Sequence, residues 1–488
     1  MLKPPTTDDA LRIREFFAAA GYTHKHLQET PALRELPLRS GSSHALLEHM
    51  VDSSPVNTLL RWFFAGAPQS PEAVRPFIPE SSLQILLECG LLSLGSGGLT
   101  PNAMVTPCDE YYFAADVSTR MTSAQSADIV LWPNPTTRLL QLFSIRKPSR
   151  STLDLGTGCG ILGILARKFS DQVTATDLNP RAGEFTRFNA RLNAADPVEY
   201  LTGDTFEPVA DRRFDLILAN PPFFVTPTSE QIYCENEMDL DQYCRKVVRG
   251  AAQHLNEDGY FQAVLEWVQV KGETWQERLS EWLEGTGCDA WVIRSYTRDG
   301  PEYARERIRE TMPHESYSEK LSAWTEYYRQ RGVEEIHGGV LAMRRRSGHN
   351  WLRMEDTPVT ASAPFGDLVL GTFATQDILH NQPADEALLA VRPLLPDNAQ
   401  LDQTYRNSGG KWASSSLSIR LTGTAPADSN IEPEVAAFLA RCDGKRTLQE
   451  LADELSEKMK VPREAARKQC CAVVRKLAMR RILRLTQS

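Results

Sequence analysis

No two cysteines in this 488-residue chain stand at Cys-x-x-Cys spacing. The nine present are scattered and odd in number, and neighbours such as Cys470 and Cys471 cannot easily face one metal from a helix. That usage argues against a disulfide framework and a thiolate zinc site; reduced thiols in the cytoplasm are expected instead. Long apolar runs are missing as well. None approaches the roughly 18 residues of a membrane helix, and the N-terminus lacks a charged-then-apolar leader, so no membrane span is expected. An excess of basic charge is also lacking: 54 Lys and Arg face 63 Asp and Glu, a net charge of −9. A protein that coats nucleic acid nonspecifically is therefore not expected, although a local basic patch stays compatible. His44 and His49 are badly spaced for one metal on a helix and read as surface residues, so no metal site is expected.

What is there fits a globular protein, with 41% apolar and 24% charged residues. The length implies two or three domains. Residues 1–116 read as a first module. Leu11 to Ala18 and Asn57 to Phe64 have helical spacing, Ser81–Gly90 is a helix ending in glycine, and a small hairpin spans Leu91–Pro101. Helices followed by a hairpin are winged-helix-like. The second-helix position carries Gln84 and Glu88, not basic residues, which favours a structural or protein-docking role over DNA binding. Residues 117–348 alternate strand and helix, predicting a mostly parallel, doubly wound α/β sheet. Strands are expected at 151–155, 172–177, 198–201, 214–219, 260–267, 289–295 and 335–343, with one helix over 318–331 joining the last two. Residues 349–488 read as an α+β module with strands at 367–373 and 415–422. It ends in a second winged-helix-like unit whose helix begins at a Thr447–Glu450 capping box. Its basic last helix, 462–482, could contact RNA, but packing or dimerisation is the preferred role.

Two motifs carry chemistry. Asn220-Pro221-Pro222-Phe223 follows the buried strand 214–219, and ligands bind at such strand ends in open α/β sheets. The asparagine offers a side-chain carbonyl, the prolines remove two N–H donors, and Phe223 adds a flat face. Together they suit a planar NH2 group held by two acceptors. An ordinary proline-rich turn is the bland alternative. Upstream, Asp154-Leu-Gly156-Thr157-Gly158-Cys-Gly160-Ile-Leu-Gly163 is a strand end, a glycine turn and a helix start. Gly158 to Gly163 also matches the dinucleotide fingerprint, so an NAD-type dehydrogenase stays in view. Asp154 would repel a pyrophosphate but can pair with an amino-acid ammonium. Asp177, about 20 residues beyond the glycines, is placed to accept ribose hydroxyls. Asp204, after the next strand, is placed for an adenine amino group. Acids at successive strand ends, without a basic phosphate clamp, describe a pocket for an adenosyl amino acid.

These motifs resemble the class I S-adenosylmethionine-dependent methyltransferases, specifically the "methyltransferase small" group with its Asn-Pro-Pro-aromatic motif for nitrogen methylation. That group includes enzymes acting on glutamine of release factors and on exocyclic amines of ribosomal and transfer RNA. The resemblance covers residues 117–347. It implies a Rossmann-like seven-stranded core with an antiparallel final strand and S-adenosyl-L-methionine as cofactor. It places Asp154, Gly156, Thr157, Gly158, Gly160, Asp177, Leu178, Asp204, Thr205 and Asn220 at the cofactor, and Asn220 to Phe223 at the acceptor. Trp132–Thr137 is a candidate lid or a linker; Tyr233 and Glu235 either line the acceptor pocket or belong to a loop. The expected function is N-methylation of a macromolecule, with a protein side-chain nitrogen (glutamine or lysine) preferred. A base exocyclic amine (adenine N6 or guanine N2) is the alternative, and a noncatalytic cofactor-binding regulator a lesser one. The partner is thus a protein or RNA substrate, and a homodimer is left open.

Overall fold

The computed structural model describes residues 2–30, 54–117, 128–311, 317–358, 364–381, 384–422 and 428–486. Its contacts divide the chain into two compact units, residues 1–141 with 147–354, and residues 142–146 with 355–488. His44 and His49 lie outside the described residues.

The first unit is organised by one sheet. Its strands are β1 (Ser149–Leu155), β2 (Ser170–Asp177), β3 (Glu199–Thr202), β4 (Phe214–Ala219), β5 (Leu255–Val270), β6 (Cys288–Arg298), β7 (Val333–Arg345) and β8 (Leu352–Asp356). They stand in the order β8-β6-β7-β5-β4-β1-β2-β3. β1 pairs in parallel with both β2 and β4, while β7 runs antiparallel between β5 and β6. This is the Rossmann-like seven-stranded arrangement with its reversed last strand, carrying β8 as an added edge. Chain direction across the sheet reverses between β1 and β4, and their carboxyl ends form the crevice where such sheets bind ligands. The runs are apolar because both faces are covered: Leu153, Ile217, Leu218, Phe261 and Val340 are all buried.

The connecting helices that matter for the site are α1 (Pro135–Phe143), α2 (Ile161–Ala166), α3 (Pro180–Leu192) and α4 (Gln242–Gln253). Two helices, Gly300–Thr311 and Tyr317–Arg331, join β6 to β7, where one was expected. The hairpin Leu92–Gly95 with Gly98–Pro101 forms, and a second one, Met104–Cys108 with Tyr111–Ala115, follows it. That second hairpin is stitched to α3 by two asparagines. Asn189 Oδ1 accepts from Ala114 N–H (2.8 Å) and Asn193 Oδ1 from Tyr112 N–H (2.9 Å), while their amides donate back to the same residues' carbonyls. An aromatic cluster of Phe17, Tyr22, Phe63 and Tyr112 packs beneath it.

In the second unit the expected strand at 367–373 is a helix, Gly366–Asn381. Leu368, Val369, Thr372, Phe373, Thr375 and Ile378 are among its buried residues, and the recurrence at three and four is helical. The run Leu-Val-Leu read as a strand only because its window stopped short of the next turn. The strand expected at 415–422 is present as Lys411–Leu421, paired with Ala399–Ser408. The helices Pro433–Leu439, Leu448–Met459 and Arg463–Met479 enclose a core of Leu388, Phe438, Leu451, Cys471, Val474 and Leu477. Thr447 and Glu450 complete the capping box, each side chain accepting the other's backbone N–H. Among the described residues no helix is long and apolar enough to cross a membrane.

Candidate active site

A cavity of about 360 Å³ opens at the carboxyl ends of β1, β2 and β4. That lies within the ~300–1,000 Å³ of small-molecule sites. Gly156, Thr157, Gly158, Asp177 and Leu178 line one part of it. Asp204, Thr205, Asn220, Pro221 and Pro222 line another, and Tyr233 and Glu235 also reach the wall. Three of the expected site residues do not line it: Asp154, Gly160 and Phe223.

The glycine turn shapes one side. Gly158 (φ 55°) and Gly160 (φ 88°) are left-handed, and a Cβ on Gly160 would meet Thr186 of α3 at 3.1 Å. The turn is tied down by two acids. Asp154, fully buried behind the wall, accepts from Thr157 Oγ1 (2.6 Å) and Gly163 N–H (2.8 Å) through Oδ2. Its Oδ1 has no partner among the described residues. Burial pushes its carboxyl up to about 6, against the opposing pull of those two donors. Asp177 accepts Gly158 N–H on Oδ2 and Asn179 N–H on Oδ1, both at 2.8 Å, and burial raises its carboxyl too. Asp204 meets Lys246 of α4 at 2.7 Å, so its negative charge is met by a cation at the rim.

Asn220 sets the other side. Its Nδ2 donates to Thr137 Oγ1 (3.0 Å) and Thr136 Oγ1 (3.3 Å), whereas its Oδ1 is buried and has no partner among the described residues. Pro222 carbonyl accepts from Asn236 Nδ2 at 2.9 Å. The chain beyond the motif is held by tyrosines: Val225 N–H donates to Tyr303 Oη (3.1 Å), and Tyr328 Oη donates to Val225 carbonyl (2.6 Å). Phe223 is 7% exposed and packs against Phe224, ring centroids 5.6 Å apart. Glu235 is buried and accepts from Glu230 N–H (2.7 Å), Gln231 N–H (3.2 Å) and Thr228 Oγ1 (3.0 Å), which shapes the loop carrying it. Among the described residues no cluster of His, Cys, Asp or Glu could hold a metal ion.

Sequence reasoning missed Tyr243, Lys246 and Asn236, all on the cavity wall. Tyr243 and Lys246 are three apart on α4 and share a face, the one signal that could have found them. Asn236 carried no signal, because its partner is a backbone carbonyl in another turn.

Residues 132–282 match the family model described as methyltransferase small domain, and residues 432–483 match that of coenzyme PQQ synthesis protein D. The chain is 30% identical over 148 residues to a release factor glutamine methyltransferase of Aquifex aeolicus, covering 27% of this chain and 53% of that one. It is 29% identical over 198 residues to a tRNA1(Val) (adenine(37)-N6)-methyltransferase of Klebsiella pneumoniae, covering 36% and 79%. A ribosomal protein L11 methyltransferase of Burkholderia vietnamiensis is 44% identical over 90 residues, covering 18% and 29%. The chain spans about half the length of several curated relatives it matches.

Proposed function

We propose that this chain is an S-adenosyl-L-methionine-dependent N-methyltransferase, a reading supported by the match of residues 132–282 to the methyltransferase small domain. The acceptor is a planar NH2 group on a macromolecule, with a protein side-chain amide, glutamine, as the preferred substrate. The observation that carries the reading is the buried, unpartnered Oδ1 of Asn220 on the cavity wall. Pro221 carbonyl, for which no donor is present among the described residues, is the second acceptor beside it. Pro222 carbonyl is already taken by Asn236.

The residues fit the cofactor. The left-handed glycine turn leaves room for close approach, Asp177 presents a carboxylate oriented by two N–H groups, and Leu178, 58% exposed, offers an apolar face. Gly156, Thr157, Gly158, Asp177, Leu178, Asp204 and Thr205 would hold it, with Asp154 and Gly160 bracing the turn from behind. S-adenosyl-L-methionine supplies an electrophilic methyl group, so the chain's task is alignment, which is worth up to roughly 7–11 kcal/mol. Asn220 Oδ1 and Pro221 carbonyl each take one N–H of the acceptor and so fix its nitrogen. Those bonds strengthen as positive charge grows on that nitrogen, which stabilises the transition state more than the ground state. The nine cysteines are all buried and unbridged, which supports a reducing, cytoplasmic setting.

A second reading, methylation of a base exocyclic amine, is favoured by the tRNA adenine-N6 relative, which this chain covers over 79% of its length. The two flanking helix-and-hairpin modules, read as winged-helix-like, would dock either acceptor. Incubation with radiolabelled S-adenosylmethionine and whole-cell extract, followed by protease or RNase, separates them. Protease-sensitive label is expected. In Asn220→Ala, labelling should fall by about 10²–10³-fold, as when one stabilising group is removed from an active site. Its calorimetric affinity for S-adenosylhomocysteine should stay within about twofold; joint loss of both would overturn the role given to Asn220. Binding of NAD in place of S-adenosylhomocysteine would return the dehydrogenase reading.

A further inference from the structure

The segment Trp132-Pro-Asn134-Pro-Thr136-Thr137 enters α1, and its polar atoms form one chain of hydrogen bonds ending at Asn220. Asn134 caps the helix in the ordinary way, its Oδ1 accepting Thr137 N–H at 2.9 Å. The same oxygen also receives Thr136 Oγ1 at 2.8 Å and Thr137 Oγ1 at 2.9 Å. A hydroxyl has one proton to give. Both threonines spend theirs on Asn134, so towards Asn220 they can only accept. An amide facing two such oxygens must present its NH2, and Asn220 does so, at 3.0 and 3.3 Å. Turning that amide over would set Oδ1 against two oxygens with no proton between them. The acceptor face of Asn220 is therefore fixed from 83 and 84 residues upstream.

We infer that Asn134, acting through the hydroxyls of Thr136 and Thr137, is the positioning residue that holds the Asn220 amide with its carbonyl towards the acceptor. This rests on the reading of Asn220 as the residue that takes the acceptor's N–H. Asn134 and Thr137 themselves line the cavity beside Asn220. The contribution of Asn134 is the direction of two protons.

The variants separate orientation from folding. Asn134→Ala frees both hydroxyl protons to donate to Asn220, which permits the reversed amide. Asn134→Asp keeps an acceptor for all three donors and should preserve the relay. The paired change Thr136→Val and Thr137→Val keeps the helix cap but removes both contacts to Asn220. In the full-length protein, transfer of label from S-adenosylmethionine to cell extract should fall roughly tenfold to a hundredfold in Asn134→Ala and in the double valine variant. Asn134→Asp should stay within about threefold of the parent, and S-adenosylhomocysteine affinity should be unchanged in all three. A second readout needs no acceptor: the side-chain NH2 resonances of Asn220, identified by their loss in Asn220→Asp. These should move in Asn134→Ala and the valine variant, and hold in Asn134→Asp. Unmoved resonances in Asn134→Ala, or parental transfer by that variant, overturn the inference. An inactive parent would instead count against the proposed function, while the resonances would still decide the orientation.

Discussion

Burial holds the Asp154 carboxyl at about 6, against an ordinary 3.8, so the folded chain keeps that proton more tightly than the unfolded one. The buried charge is therefore a burden above about pH 6, relieved as pH falls through 6 towards 3.8. Relative to Asp154→Asn, the parent should gain stability between pH 7 and 5, and the gap should flatten above pH 7. Denaturant unfolding of both proteins at each pH reads this directly; a pH-independent gap would show that Asp154 is not strained. At this scale Asn220, Asp177 and the glycine turn were legible, because each sits next to its strand in sequence. The direction of the Asn220 amide was not legible. It depends on hydroxyls whose partners are chosen by a helix cap far upstream. Nor was the recess of Asp154, since the same strand-end position serves a cavity wall or the layer behind it.

Element by element, the alternation of apolar strands and amphipathic helices exposes the sheet, and β7 shows what that pattern cannot reveal. Its centre is Gly338-Gly339, where β6 crowds in: Ile293 carbonyl would lie 1.9 Å from a Cβ on Gly339, and the Tyr296 ring 2.2 Å from one on Gly338. The register of β6 slips between Arg294 and Tyr296, which brings that ring over the glycine. Tyr296 is held there by Glu266, which also takes Tyr303 and Arg307. Gly339→Ala should destabilise the first unit by roughly 1–3 kcal/mol or more, because backbone must move. A thermal melt would test it, and an unchanged midpoint would mean that the strands can part there freely. The helix Gly366–Asn381 marks the opposite failure. Its short apolar window fits strand or helix, and only the following turn, with Phe373 and Ile378, decides between them.

Across the whole molecule, contacts gather into two units, each with its own core. The N-terminal hairpin joins the sheet's unit through Asn189 and Asn193, whose partners lie 75 and 81 residues away, so composition alone could not announce it. Units with separate cores unfold as separate transitions unless they are strongly coupled. Calorimetry of the full chain should show two, and saturating S-adenosylhomocysteine should raise the one belonging to the sheet's unit. At a hundredfold excess over Kd the shift corresponds to about 2.7 kcal/mol. A ligand-induced rise in both transitions would indicate strong coupling between the units.

On the proposed reading, the engagement of Pro222 carbonyl by Asn236 leaves Asn220 Oδ1 and Pro221 carbonyl to take the two hydrogens of a primary amine or amide. Once alkylated, that nitrogen would keep a single hydrogen, and one of the two carbonyls would lose its partner, a penalty of ~1–3 kcal/mol if water does not replace it. The pocket thereby counts: it admits the first addition and disfavours the next, so secondary products, not tertiary ones, should leave it.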